Sequence, residues 1–221
     1  DPVVYMLVSN MFAEVPRRPP FTLTPAKAPQ IRDYKRMLLF LNLILTTAPE
    51  FSESGLVGFP INAMLDWPMG TKSGQALFLN DKVNAQLKKI LNEWGRFLAS
   101  PESAYVLNED PETGWFGAKA RKAMPRFETE FNCDPAKPSH GFTSWDDFFT
   151  RTFREGRRPV AGPDDPSVVA NACESAPYRI ATNVRRMDRF RIKSQPYSLW
   201  HMLGGDPATE AFAGGTVYQA F

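Results

Sequence analysis

Histidine and cysteine are both scarce in this sequence, with two of each among 221 residues. The cysteines, Cys133 and Cys173, lie far apart and belong to no CxxC pair. This pattern excludes a disulfide framework and gives no support to a zinc cluster, which needs several closely spaced Cys or His ligands. We therefore predict no metal site. We expect a reducing, cytoplasmic compartment, where cysteines stay unpaired.

The sequence also lacks an excess of charge and a long apolar run. Lys and Arg together number 26 and Asp and Glu 24, so the formal net charge is +2 and no nucleic-acid partner is predicted. The longest apolar run, residues 37–45, contains Asn42. It is about half as long as a membrane-spanning helix must be, so we predict no transmembrane segment. The chain begins with Asp1 and Pro2, and we expect a secretory signal to be absent or removed.

What the sequence does contain is ample apolar material for a core, 43% of all residues, and a change of character near residue 140. We predict an α+β protein with a helical domain over residues 1–140 and a β-rich domain over residues 141–221. Before residue 140, helical spacing of apolar residues predicts helices over residues 2–12, 31–47 and 80–98. Asn80 or Asp81 can cap the third. Trp94 lies on its apolar stripe, where core packing is commoner than ligand contact.

Two segments of this helical part are rich in glycine and proline. Residues 53–74 carry four glycines, which predicts an irregular connection between helices. Residues 111–117, PETGWFG, predict a turn. Burial of Trp115 and Phe116 as a structural plug is the favoured role for this turn, with contact to a substrate as the second.

After residue 142 the sequence predicts a short helix followed by an arginine cluster. Ser144 is a good N-cap, Asp147 stands where a capping-box acid belongs, and the helix should run from residue 145 to about 154. Gly156 ends it. The cluster consists of Arg151, Arg154, Arg157 and Arg158. It could bind a phosphate or carboxylate through bidentate hydrogen bonds, or it could pair with Asp146, Asp147 and Glu155 at a domain boundary.

Short strands are predicted over residues 168–170, 178–181, 189–193 and 197–199. Glu174 stands out between the first two because small, uncharged residues surround it and no cation is near it in sequence. Such a carboxylate either lies at the surface or has a buried task. His201, beside Trp200, is predicted to be a satisfied structural residue. His140 is predicted to lie in an exposed loop.

Three ordered motifs give a family resemblance. FFTRTFREGRRPVAG, VVANACES and FRIKSQPYSLWHMLG resemble, in order and spacing, the phosphatidylserine decarboxylase family. The segments DPVVYMLVSNMF, LNEWGRFLASPES and GWFGAKARKAM are similar to the extra N-terminal domain of its soluble fungal branch, which contains L-tryptophan decarboxylase. The resemblance covers nearly the whole chain. It implies that residues 141–221 are the incomplete start of a decarboxylase catalytic domain.

The resemblance implies a proenzyme that cleaves itself at a Gly-Ser bond and converts the serine into a covalent pyruvoyl cofactor. That group binds the substrate amine as a Schiff base, and CO₂ is lost because the carbonyl acts as an electron sink. Glu174 occupies the position of a family Asp that helps a histidine to activate the serine, and Ser175 stands where the family has Gly. Glu174 is therefore the catalytic residue that the resemblance predicts, as a helper in self-processing.

The same resemblance places the family's His-x-x-His and Gly-Ser motifs after the position of Phe221, and neither occurs in this sequence. The chain is thus expected to be inactive alone and to need the remainder of the proenzyme as its partner. The expected substrate is a free aromatic amino acid such as L-tryptophan. The alternatives are a phosphatidylserine decarboxylase that makes phosphatidylethanolamine, and a non-catalytic decarboxylase-like scaffold that binds a protein or an anionic ligand.

Overall fold

A computed structural model describes residues 1–53, 59–171, 173, 175–188, 191–192 and 195–220. Two compact units are present, Asp1–Arg158 and Pro159–Phe221. The mixture of helices with small antiparallel sheets confirms the α+β class. The domain boundary after residue 140 stays a prediction. None of the helices in the described part of the chain is long and apolar enough to cross a membrane.

The first unit is helical. Its α-helices are α1 (Pro2–Glu14), α2 (Tyr34–Ile44), α3 (Pro60–Met69), α4 (Lys72–Phe78), α5 (Asp81–Leu98), α6 (Ala118–Ala123), α7 (Phe127–Glu130) and α8 (Trp145–Phe149). Two 3₁₀ helices, Pro101–Val106 and Pro138–Gly141, lie between them. The predicted helices over residues 2–12, 31–47 and 80–98 are confirmed as α1, α2 and α5, with shifted ends.

Helix α5 shows why the sequence prediction succeeded. Asn80 Oδ1 accepts hydrogen bonds from the backbone N–H groups of Lys82 and Val83, at 3.0 and 3.3 Å, so the predicted cap forms. Trp94 is buried, and its indole N–H donates to the carbonyl of Thr47 at 2.9 Å. The indole is therefore both packed and satisfied, as a structural Trp should be.

The prediction of an irregular connection over residues 53–74 is wrong for most of its length, because helices α3 and α4 lie there. Pro60 opens α3, where a missing N–H has no consequence. The hydroxyl of Thr71 caps α4 by accepting from the N–H of Gly74 at 3.0 Å. Residues 54–58 lie outside the described residues. Pro60 and Gly70 mark the two ends of α3, whereas Pro68 and Gly74 lie inside α3 and α4.

Two clusters of buried side chains form the core of the first unit. One joins α1 to α2, α3 and α4, and its buried members are Val8, Met11, Phe12, Leu41, Met64, Leu65 and Leu77. The other is largely aromatic and joins α5 and α8 to the end of α2 and to the segments between α5 and α8. Its buried members are Ile44, Ala48, Trp94, Leu98, Val106, Leu107, Phe116, Phe127, Phe142, Trp145 and Phe148.

The second unit contains β1 (Pro177–Thr182), β2 (Arg191–Ile192), β3 (Gln195–Pro196), α9 (Leu199–Met202), α10 (Thr209–Phe212) and β4 (Thr216–Ala220). Strands β1 and β4 pair antiparallel, as do β2 and β3. The strand predicted over residues 178–181 is confirmed as β1. Of the strand predicted over 189–193, β2 contains residues 191–192, while 189, 190 and 193 lie outside the described residues.

Two predicted strands of this unit are wrong, and one strand was missed. Residues 168–170 form no strand and are exposed, with Val169 at 93%, so their β-propensity is not backed by a pairing partner. Residues 197–199 do not form one either, because Ser198 caps α9 and Leu199 begins it. Strand β4, near the end of the chain, was not predicted, and its partner β1 lies more than thirty residues earlier in the sequence.

Candidate functional site

Helix α8 leads into the first family motif, FFTRTFREGRRPVAG (residues 148–162), and its predicted cap is confirmed. Ser144 Oγ accepts from the N–H of Asp147 at 3.0 Å, and Asp147 Oδ2 accepts in return from the N–H of Thr143 at 2.8 Å. The helix ends at Phe149 rather than near residue 154. After the helix, the backbone forms hydrogen bonds with the segment around Asn132. The N–H of Asn132 donates to the carbonyl of Thr152 at 2.9 Å.

The paired phenylalanines of this motif have different environments. Phe148 is 1% exposed, and its ring centre lies 5.0 to 5.8 Å from those of four other aromatic residues. Those residues are Trp115, Phe116, Phe127 and Phe142. Phe149 is 53% exposed. One member of the pair is thus the centre of the aromatic core and the other belongs to the surface. The structural role predicted for the turn at Trp115 and Phe116 is confirmed.

The arginine cluster is mostly structural. Arg154 donates to the carbonyls of Glu128 and Cys133, at 3.1 and 2.9 Å. Arg158 is paired with the carboxylate of Glu130. Arg151 stacks over three phenylalanine rings and donates to the carbonyl of Phe148 at 3.1 Å. The pairing that the sequence suggested, with Asp146, Asp147 and Glu155, is replaced in the described structure by Glu130 and backbone carbonyls.

Glu130 is the acidic anchor that the sequence analysis missed. Its largely buried carboxylate meets Arg158 and also Arg126, whose Nε lies 2.9 Å from Oε1. The hydrogen bond from Arg158, and then the charges of Arg126 and Arg158, lower the pKa of Glu130 against the opposing effect of burial. The spacing of Arg126 and Glu130, four residues apart on one helical turn, is a signal that could have identified the pair.

The prediction that His140 lies in an exposed loop is wrong. Its side chain is buried, and its ring is stacked on Phe116 with centres 3.7 Å apart. Ser139, His140 and Gly141 all have positive φ, at 48°, 53° and 86°, and this left-handed bend turns the imidazole inward. Burial lowers the pKa of His140. Nothing in the local sequence distinguishes this bend from an ordinary polar loop.

In the second unit, His201 and Ser198 form a reciprocal helix cap. Ser198 Oγ lies 2.6 Å from His201 Nδ1, and the backbone N–H of Ser198 donates to the same nitrogen at 3.2 Å. The structural role predicted for His201 is confirmed. Because Ser198 is 1% exposed and occupied by the cap, its hydroxyl is not available to a substrate.

Glu174, the predicted catalytic residue, lies outside the described residues, and its role stays a prediction. Its neighbour Cys173 is exposed and Ser175 is half-buried. Strand β1 begins at Pro177, whose Cα partner in β4 is Ala220. Since the strands are antiparallel, the segment that leads into β1 and the segment that follows β4 leave the same end of this sheet.

The described residues contain no group of three or more His, Cys, Asp or Glu that could hold a metal ion. Cys133 and Cys173 are free thiols. Burial raises the pKa of the Cys133 thiol, which disfavours the reactive thiolate.

Comparison with known proteins identifies the class to which this α+β chain belongs. Two family models, both described as phosphatidylserine decarboxylase, match residues 1–124 and residues 145–221 in order. The chain belongs to the phosphatidylserine decarboxylase family.

Individual relatives refine this assignment. The chain is 37% identical over 193 residues to the L-tryptophan decarboxylase of Psilocybe cyanescens, and this alignment covers 81% of this chain and 43% of the relative. It is 32% identical over 234 residues to the L-tryptophan decarboxylase of Psilocybe cubensis, covering 100% of this chain and 50% of the relative. The phosphatidylserine decarboxylase proenzyme of Chlamydia pneumoniae is 30% identical over 106 residues, covering 48% and 34%. The chain thus spans about half the length of the two fungal relatives.

Proposed function

We propose that this chain is the first part of a pyruvoyl-dependent amino-acid decarboxylase acting on a free aromatic amino acid such as L-tryptophan. Membership of the phosphatidylserine decarboxylase family supports the reaction class. The substrate class is supported by the two Psilocybe relatives, whose similarity covers 81% and 100% of this chain. The remainder of the proenzyme is the expected partner. The proposal retains the expected cytoplasmic location, which rests on the scarcity of cysteine.

The pairing of β1 with β4 is the structural observation that carries the proposal. The segment leading into β1 contains Glu174, and the resemblance places the processing histidines and serine beyond the position of Phe221. Because the chain enters β1 and leaves β4 at the same end of the sheet, this pairing supports the proposal that a histidine from the continuation of the chain meets Glu174. A carboxylate in that position can orient an imidazole and stabilise its protonated form.

The cofactor in this proposal is a pyruvoyl group formed from a serine outside this chain. Such a group supplies an electron-withdrawing carbonyl that eases the loss of an α-carboxylate as CO₂. In the described part of the second unit, the Ser198–His201 pair is committed to a helix cap. The proposal therefore assigns the serine to the remainder of the proenzyme, and it assigns to Glu174 the task of orienting the activating histidine.

A second candidate function is the decarboxylation of phosphatidylserine to phosphatidylethanolamine. The similarity to the Chlamydia pneumoniae proenzyme favours it. That similarity covers less of this chain than the similarity to the Psilocybe proteins does. The non-catalytic scaffold is a third possibility, which predicts that the whole protein neither cleaves itself nor releases CO₂.

The longer protein that contains this chain tests these possibilities directly. L-tryptophan, L-tyrosine and phosphatidylserine vesicles are supplied separately, and the release of CO₂ is measured. We expect release from a free aromatic amino acid. Release confined to the vesicles would establish the second function instead.

Variants of Glu174 test the assigned role in the same protein. Glu174→Gln keeps the shape but cannot hold a protonated imidazole, so we expect self-cleavage to slow by about a hundredfold or more. Glu174→Asp restores the acid and should recover part of the rate. Glu155→Gln, at an exposed position, is the matched control. Cleavage of the Gln variant at the unaltered rate would remove Glu174 from the mechanism.

A further inference from the structure

A cavity of about 380 Å³ lies in the first unit, between the loop of residues 132–142 and the segment of residues 147–152. The whole of this loop falls between the regions matched by the two family models, which end at residue 124 and resume at residue 145. The cavity is therefore built partly from sequence outside the matched regions. Its lining includes Asn132, Lys137, His140, Thr150, Arg151 and Thr152.

Arg151 contributes a positively charged side chain to the lining of this cavity. Its guanidinium carbon lies 4.4 to 5.1 Å from the ring centres of Phe127, Phe131 and Phe148. In the part of the chain that the structure describes, no carboxylate lies within ion-pair distance of Arg151, and its Nε is buried without a hydrogen-bond partner. Ring faces and one carbonyl stabilise a cation less than a carboxylate does.

The two acidic side chains on the cavity wall, Asp134 and Asp147, already bind other groups of the protein. Asp134 pairs with Lys137 at 3.5 Å and accepts from the N–H of Ala136 at 3.1 Å. Asp147 accepts from the backbone N–H and the hydroxyl of Thr143, at 2.8 and 3.2 Å. Both carboxylates hold local turns, and neither forms an ion pair with Arg151 in the described structure. Asp134 and Lys137 offset each other, whereas Asp147 keeps its negative charge because both of its donors are neutral groups. The guanidinium is therefore a positive charge of this lining that has no ion-pair partner among the described residues.

His140 provides a second unsatisfied polar atom at the same cavity. Its Nδ1 is buried and has no hydrogen-bond partner among the described residues, and this nitrogen donates when it carries the proton. The left-handed bend at Ser139 and His140 holds the ring in place, and the loop is closed by the N–H of Asp134 donating to the carbonyl of His140 at 2.8 Å. Backbone conformations of this kind concentrate at ligand sites, where surrounding structure maintains them.

We propose that this cavity binds a small oxyanion, a carboxylate or inorganic phosphate, with Arg151 as the charge that holds it and His140 as a second donor. An oxyanion would give the guanidinium the charged acceptor that the described protein groups do not supply. The proposal does not depend on the decarboxylase reaction, because the cavity lies wholly within the first unit.

The two histidines of the chain make a direct test possible. In ¹H–¹⁵N spectra of the uniformly labelled chain, inorganic phosphate and acetate are titrated separately to about 50 mM at constant ionic strength, with NaCl as the balancing salt. At least one of the two anions should move the ring resonances of His140 saturably, while His201, in the second unit, stays still as an internal control. The anion that saturates at the lower concentration identifies the preferred ligand. If neither anion shifts His140, or both histidines shift alike, the proposal is wrong.

A pair of variants then separates Arg151 from its neighbours. Arg151→Met keeps the aliphatic packing against the rings but removes the charge, and it should weaken binding of the preferred anion by at least about tenfold. Arg157→Met removes an exposed arginine that lies outside the cavity lining and should leave the affinity within about twofold, since exposed charges contribute little. Equal affinities of the two variants would contradict the assignment. The titration of the unaltered chain decides the proposal even if Arg151→Met does not fold.

Discussion

Truncation of Phe148 to alanine is the sharpest test of how α8 and the start of the first family motif pack into the core of the first unit. The ring is 1% exposed and is surrounded by Trp115, Phe116, Phe127 and Phe142. Removal of a ring from such a site lowers the free energy of unfolding by about 3–5 kcal/mol, through lost burial and the cavity that remains. For a protein of this size, each kcal/mol corresponds to about 2–4 °C in Tm, so a fall of roughly 6–20 °C is expected.

The measurement is thermal unfolding followed by near-ultraviolet circular dichroism, which reports the packing of the aromatic core. Phe149→Ala is the matched control, because it removes the same ring from the same helix at a position that is 53% exposed. Its ring is stacked on Trp145 and meets Phe59 edge-on, and the loss of these two contacts is expected to cost about 1 kcal/mol. Similar losses for the two variants would refute the assignment of Phe148 as the centre of this core.

Two further predictions concern His140 and two glycines. Burial lowers the pKa of His140, so the fold favours the neutral ring; stability should be full above the unfolded pKa of about 6.5 and fall as the pH drops below it. The urea midpoint of unfolding should therefore fall as the pH is lowered from about 7.5 to 5, and His140→Phe should reduce this dependence on pH. An unchanged dependence in the variant would contradict the role given to His140. A Cβ at Gly117 would lie 1.8 Å from the carbonyl oxygen of Asp110, whereas one at Gly95, within α5, meets nothing within 4 Å. Gly117→Ala should therefore lower Tm, while Gly95→Ala should raise stability by about 1 kcal/mol, and the opposite order would refute this account of the turn.

The parts of the fold that the sequence predicted are those decided by local chemistry. Helix α5 has a long apolar stripe and a capping Asn80, and Ser144 caps α8 as expected. Both features depend on residues within one or two helical turns, so their effect can be read without knowledge of tertiary contacts. Family motifs added the expected role of Glu174, which the described structure does not test.

The parts that the sequence did not predict depend on distant partners. Strand β4 forms because β1 offers it a pairing edge, and residues 168–170, which have a similar propensity, remain exposed. His140 is buried because three consecutive residues adopt positive φ and its ring stacks on that of Phe116. Arg151 has an unusual environment because three phenylalanines surround it. Such outcomes are set by tertiary contacts that override local preference.

The most direct test of the proposed function is the intact mass, under denaturing conditions, of the longer protein that contains this chain. The account predicts two chains after self-cleavage, the second of which begins with a pyruvoyl group in place of serine. It also predicts that the same preparation releases CO₂ from L-tryptophan. A single uncleaved chain that carries no pyruvoyl group and releases no CO₂ from any amino acid would contradict it.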